Sequence, residues 1–262
     1  MQFIALQTIL ALIDSYAEEF RRHLQVSNQL MLRHLTDTKQ LFFCRYNDPM
    51  YIKLAKLKLL LSLVSSENVF QVLAELREYS SEVDLDFVHQ SIQAIGRCAI
   101  QCSNAADESV AILLELIASQ VNYIVQEAIV VVKDIIRSYP NRFEYTIPTL
   151  CAGLSSLDQP DAKAALIWVV GEYAARIENA TVLMESFCET FGDEPDYVQL
   201  QLLTSSVKNF LQQKDAGAQN VVQRLLRKAS TSENPDVRDR AFIYWRLLSG
   251  DLARATNVVA EM

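Results

Sequence analysis

The apolar positions of this chain recur at a nearly fixed distance. A polar corner, usually with Asp, Asn or Pro, is followed by an apolar residue, a polar residue and a long apolar-striped run. The apolar position falls at Ile52, Val88, Val125, Ala162, Val198 and Val237, at intervals of 36, 37, 37, 36 and 39 residues. The polar residues directly after it are Lys53, His89, Gln126, Lys163, Gln199 and Arg238. Within a unit the stripe has helical spacing: Val125, Ala128, Ile129, Val132, Ile135 and Ile136 lie three and four apart. A period of this length marks a repeat architecture.

Each unit holds two helical stretches. The corners NDP (47–49), DQPD (158–161), EPD (194–196) and NPD (234–236) start the first of them. Pro fits a first helical turn because its missing N–H has no intrahelical partner there. The acids at these corners suit the positive end of the helix dipole. Second stretches such as 109–119 and 218–230 end at a new corner. Such a pair cannot bury its stripe alone and needs neighbours stacked on it. The best-formed copy, ENPDVRDRAFIYWRLL (233–248), has the HEAT pattern. The expected fold is all-α: one curved α-solenoid of HEAT/armadillo-like helix pairs over residues 1–262, with about seven repeats.

Two irregularities stand out. Met1-Gln2 occupies the apolar–polar position of a first unit, and the step from there to Ile52 is 51 residues. The surplus falls on VSNQLMLRHLTDTKQ, so an insertion is expected at 25–40. Met1 also lands inside a repeat with no capping helix before it, the pattern expected of a piece of a longer solenoid.

Composition supports helices joined by short polar corners. The chain has 6 Gly and 6 Pro, whereas average usage in a chain of this length gives roughly 30. A sheet-rich fold would need more tight turns than that supplies. The net charge of −8 argues against nucleic-acid binding, which needs a cationic field. The basic clusters Arg21-Arg22, Lys53/Lys56/Lys58 and Arg224/Arg227/Lys228 read as solvated helix faces beside acids. The five Cys form no CxxC pair, and Cys98 and Cys102 have no nearby partners for a zinc site. They read as buried thiols in a reducing compartment, which makes the sequon Asn179-Ala180-Thr181 a chance match. Met1 leads into Phe3-Ile4-Ala5-Leu6 without a basic segment, unlike a signal peptide. The most apolar run (164–170) falls far short of the roughly 18 residues a membrane span needs.

The sequence has no phosphate-binding glycine loop, nucleophile elbow or H-E-x-x-H. His23, His34 and His89 are far apart, with His89 in the polar repeat column. The acid pairs Asp84/Asp86 and Asp193/Glu194 sit at helix starts, where capping explains them. Trp168 and Trp245 lie in apolar stripes and read as core. The chain is therefore expected to be no enzyme, with no catalytic, cofactor-binding or metal-binding residue and no cofactor. Its partner-contact residues stay unassigned.

Longer runs narrow the class. These are LFFCRYNDPMYIKLAKL (41–57), VFQVLAELREYSSEVDLDFV (69–88), AIGRCAI (94–100), VNYIVQEAIVVVKDIIRSYPN (121–141), AALIWVVGEYAARIENA (164–180), VQLQLLTSSVKNFL (198–211) and NPDVRDRAFIYWRLLS (234–249). In that order they resemble the trunk of the beta subunit (beta-adaptin) of heterotetrameric clathrin adaptor complexes, in its middle-to-C-terminal part. The resemblance implies a non-enzymatic scaffold in vesicle-mediated protein transport and endocytosis. It implies a medium (mu) chain, a second large adaptin and a small (sigma) chain as partners, with no nucleic acid. It places the assembly in the cytoplasm, peripheral on the cytosolic face of Golgi, trans-Golgi, endosomal or plasma membranes and their coated pits and vesicles. Clathrin contact is expected only through regions absent from this chain. Leu247-Leu248-Ser249-Gly250-Asp251 and Leu113-Leu114-Glu115-Leu116-Ile117 both miss the clathrin-box pattern. The insertion has no counterpart in the family pattern. A coatomer beta-type coat subunit and a nuclear transport receptor are the alternative HEAT-repeat scaffolds.

Overall fold

The computed structural model describes residues 43–153, 157–250 and 252–260. The insertion expected at 25–40 and the unit expected to begin at Met1 lie outside them. Twelve α-helices and four short 3-10 turns account for the regular structure of the described residues, with no strand among them. The helices are α1 Met50–Ser62, α2 Val69–Tyr79, α3 Leu85–Gln101, α4 Ala106–Ala118, α5 Asn122–Ser138, α6 Ile147–Ala152, α7 Pro160–Glu172, α8 Ala180–Glu189, α9 Asp196–Gln213, α10 Ala216–Ser230, α11 Pro235–Ser249 and α12 Leu252–Ala260. They form six consecutive pairs, an all-α solenoid of HEAT-like units. Each repeat-column residue lies in the first turn of the first helix of a pair.

The column is the core. Ile52, Val88, Val125, Ala162, Val198 and Val237 are all buried, and so is the α5 stripe from Val125 to Ile136. Fully burying one such aliphatic side chain contributes about 1.5–3 kcal/mol. The described residues divide into two compact units, one ending at Ser119 and the other beginning at Gln120. In the first, α1 packs on α3 and α2 on α3 and α4. In the second, first helices pack in the series α5, α7, α9, α11, and the second helices α8 and α10 pack on one another. Second helices also pack on the following first helix, α8 on α9 and α10 on α11. This is how an amphipathic pair that cannot close its own core obtains one from its neighbours.

The corners are built as capping chemistry requires, with differences in detail. Asp84 caps α3 by accepting the N–H groups of Asp86 and Phe87. Asp215 caps α10 through Ala218 N–H at 2.7 Å, and Asn234 caps α11 through Asp236 N–H at 2.8 Å. Pro160 and Pro235 open α7 and α11, whereas Pro49 and Pro195 sit one residue earlier, at the cap positions of α1 and α9. The pair Asp193/Glu194 is not a cap: Asp193 closes a 3-10 turn, and Glu194 is ion-paired to Lys163.

Two expectations are corrected. Trp245 is 46 % exposed, and Trp168 is only half-buried. The residues homologous to Trp245 on α7 and α9, Val170 and Ser206, are buried. No first helix follows α11 among the described residues, so helical periodicity there did not translate into cover. The cluster Lys53/Lys56/Lys58 is not a solvated face. Lys53 is ion-paired to Glu82 and Lys56 to Asp48, their side chains 8 % and 12 % exposed, and only Lys58 points to solvent.

Candidate interaction surface

Three residues of the polar column, Lys53, Gln126 and Lys163, tie one corner to the next. Lys53 on α1 reaches forward to Glu82, just before the corner of α3, and lies 5.1 Å from the centre of the Phe87 ring. Gln126 on α5 accepts the backbone N–H of Gln159, the residue preceding α7, at 2.6 Å. Lys163 on α7 reaches Glu194, before the corner of α9, at 2.7 Å. Gln199 and Arg238 turn back to their own corners. Gln199 donates to the Glu194 carbonyl at 2.8 Å, and Arg238 donates to the carbonyls of Ser232 and Glu233, each at 2.8 Å. His89, in the same column, is half-buried. The position thus needs a long polar side chain on a buried apolar neighbour, whatever its charge.

A second set of bonds locks α7 to α9 at their C-terminal ends. Lys208 is paired with Glu172 at 2.8 Å. Gln212 donates to the Glu172 carbonyl at 3.0 Å and accepts the Ala175 N–H at 3.0 Å. Gln213 donates to the Ala174 carbonyl at 2.9 Å and accepts the Thr181 hydroxyl at 2.8 Å. On the second helices, Arg224 pairs with Glu185 at 2.7 Å and Lys228 donates to the Cys188 carbonyl at 2.6 Å. The basic cluster on α10 is therefore largely engaged by the preceding pair.

The surface is open and carries large apolar side chains. Phe242, Ile243 and Trp245 on α11 are each about half exposed. Beside them a cavity of about 370 Å³ is lined by Phe210, Leu226, Trp245, Leu248 and Leu252 among others. A second cavity of about 300 Å³ spans the first helices, with Arg137, Trp168, Tyr197, Lys208 and Arg240 in its wall. A third, of about 620 Å³, lies between the corners before α9 and α11. Exposed aromatic and aliphatic side chains on a rigid scaffold are what protein–protein contacts bury.

The ionisable groups do not converge. Among the described residues no group of three His, Cys, Asp or Glu is placed to hold a metal ion. All five Cys are free thiols. Burial pushes Cys44 up to about 11 and Cys98 up to about 12, and raises Cys102, Cys151 and Cys188 as well. None has the depressed pKa of an activated nucleophile. No described helix is long and apolar enough to cross a membrane.

Residues 1–251 match the family described as the adaptin N terminal region. The AP-1 complex subunit beta-1 of Homo sapiens is 50 % identical over 260 residues, which are 99 % of this chain and 26 % of that protein. The AP-1 complex subunit beta of Dictyostelium discoideum is 52 % identical over 84 % of this chain and 23 % of its own length. The AP-2 complex subunit beta of Schizosaccharomyces pombe is 36 % identical over 83 % of this chain and 32 % of its own length. A homology model of the full-length AP-3 complex in an intermediate open conformation contains a chain with the same fold, with a TM-score of 0.63 at 17 % identity, covering 79 % of this chain and 38 % of that one. The chain spans about a quarter of the length of the AP-1 beta relatives. With the family match spanning residues 1–251 and half of the residues identical to the human relative over 99 % of the chain, the chain belongs to the adaptin N-terminal-region family.

Proposed function

We propose that this chain is a non-enzymatic scaffold segment of a beta-type adaptor subunit, working in vesicle-mediated protein transport and endocytosis. The observation that carries the reading is identity of about half the residues to subunits named AP-1 beta, extended over 99 % of the chain. The open faces and half-exposed aromatics support it, because stacked helix pairs offer extended surface to protein partners. On this reading the partners are the medium (mu) subunit first, then the second large adaptin and the small (sigma) subunit. The assembly is peripheral on the cytosolic face of Golgi, endosomal or plasma-membrane coats. Clathrin is engaged by other parts of the complex, since neither leucine run in this chain fits its recognition pattern.

Co-expression tests this. The chain, tagged, is produced with the N-terminal domain of an AP-1 medium subunit or with an unrelated domain of the same fold. Stable co-purification and higher soluble yield with the medium-subunit domain alone are expected. A partner that binds only the folded form stabilises it by about 2.7 kcal/mol at a hundredfold excess over Kd. Equal recovery with both domains would remove the reading.

A further inference from the structure

The first helices of the second unit, α5, α7, α9 and α11, share a groove where the sign of the chain's charge is reversed. Arg137, Lys208 and Arg240 line its cavity of about 300 Å³ and, among the described residues, no acid does. The chain as a whole carries a net charge of −8. The acids bonded to wall residues are already used: Glu172 is paired with Lys208 at 2.8 Å, and Asp161 accepts the Tyr197 hydroxyl at 2.8 Å. Asp134, one turn before Arg137, is paired with Lys133. Arg137 and Arg240 have no ion-pair partner among the described residues, whereas Arg77, Arg176 and Arg224 each hold a carboxylate. Arg240 is held in place. Its guanidinium lies 5.9 Å from the centre of the ring of Tyr244, a fully buried residue whose hydroxyl is 2.8 Å from that of Thr204 on α9. A guanidinium on an aromatic face still has its five N–H donors to offer.

The rest of the wall sets the ligand's shape. In the helix series Arg137 on α5 comes first and Arg240 on α11 last, with Trp168 on α7 and Leu200 on α9 between them. Both of these apolar side chains are half-buried. The groove runs obliquely, from the C-terminal end of α5 to the N-terminal half of α11. Packed helices lie about 8–10 Å apart, so three spacings are about 24–30 Å, the reach of roughly eight extended residues. A lone phosphate or a lipid headgroup would meet one cation and leave Trp168 and Leu200 uncovered. A peptide with separated carboxylates and an apolar side chain between them meets the whole strip, and carboxylate matches the guanidinium fork.

We propose that this groove binds an extended acidic peptide segment of a partner protein. Its carboxylates pair with Arg137 and Arg240, and an apolar side chain between them packs on Trp168 and Leu200. The inference rests on the groove's charge and geometry and not on the adaptor reading.

The test is fluorescence anisotropy on the whole 262-residue chain. The probe is a labelled peptide of about nine residues with glutamates on both sides of a leucine. It is compared with the same peptide carrying glutamines, the same peptide with serine for leucine, a single-stranded oligonucleotide of equal charge, and vesicles containing anionic lipid. Saturable binding of the acidic leucine peptide is expected, with every other probe weaker. Arg137→Gln/Arg240→Gln should weaken it by about tenfold. The charge-matched control Lys58→Gln/Arg97→Gln, at exposed positions elsewhere, should leave it unchanged. Arg137 is exposed, so Arg137→Gln alone should also weaken binding and keeps the test open if the Arg240 variant misfolds. Only two Trp are present, so in Trp245→Phe the emission of Trp168 alone should shift as the peptide binds. Equal losses in the two double variants would reduce the effect to net charge and overturn the proposal. So would equal binding of any comparison probe, an unchanged Trp168 emission, or no binding at all.

Discussion

Gly171 on α7 lies so close to Ser205 on α9 that a β-carbon on it would stand 2.4 Å from the Ser205 β-carbon and 2.6 Å from its α-carbon. The obstacle includes backbone, so it cannot rotate away. Ser205 and its neighbour Ser206 are both 1 % exposed, which keeps the helices at this distance. Gly171→Ala should therefore cost about 1–3 kcal/mol through overpacking, beyond the helix-propensity gain that alanine brings. Urea unfolding measures it. An unchanged or higher midpoint would show that α7 and α9 do not cross so tightly.

The rung between Lys163 and Glu194 is a partly buried ion pair, with side-chain exposures of 23 % and 8 %. Lys163→Ala leaves the more buried carboxylate unpaired and should cost about 1–3 kcal/mol. The double variant Lys163→Ala/Glu194→Gln should recover part of that loss, because the stranded charge is gone. A double-mutant cycle reads the coupling. Additive losses would mean that the pair contributes nothing.

Acid should loosen the start of α1. Burial opposes ionisation of Asp48, but the Lys56 ammonium at 2.6 Å and the Arg45 N–H hold its carboxyl below the usual carboxylate range. A carboxylate whose folded pKa is depressed adds stability above its unfolded pKa of about 3.9. That stability is lost as pH falls through the folded value. Asp48→Asn should flatten the dependence of stability on pH below about 4. An unchanged acid limb in chemical unfolding would exclude the contribution.

The thiols should be slow to react. All five have raised pKa values, and Cys98 and Cys188 are fully buried. At pH 8 the native chain should react with a thiol-specific disulfide reagent far more slowly than the urea-unfolded chain, in which all five react. A fast native phase equal to one Cys would identify an activated thiol where none is expected.

Much of the fold was legible because the repeat column coincides with its energetic centre. The six apolar column residues are all buried, and each sits in the first turn of a first helix. The partners of the polar column were less legible. Arg238 binds the carbonyls of its own corner, because a long side chain beside a helix start meets the chain entering that start. Gln126 and Gln199 are the same residue in the same column, yet one rung is closed and the other open. That difference depends on the fit of two corners of unlike sequence, DQPD and SENPD, and not on the column. Trp245 misled for a related reason: periodicity gives the apolar face of α11 but not what packs over it. The cavity between the corners left no pattern, because its residues come from two repeats and the acids among them are of the kind that also serve as caps.

The central claim is that the open solenoid is a binding surface for an adaptor medium subunit. The direct test is calorimetric titration of the purified medium-subunit N-terminal domain into this chain at several temperatures. The account predicts saturable one-to-one binding with a negative heat-capacity change, since burial of exposed apolar residues gives that sign. Absence of binding, or binding that an unrelated domain of the same fold reproduces, would contradict it.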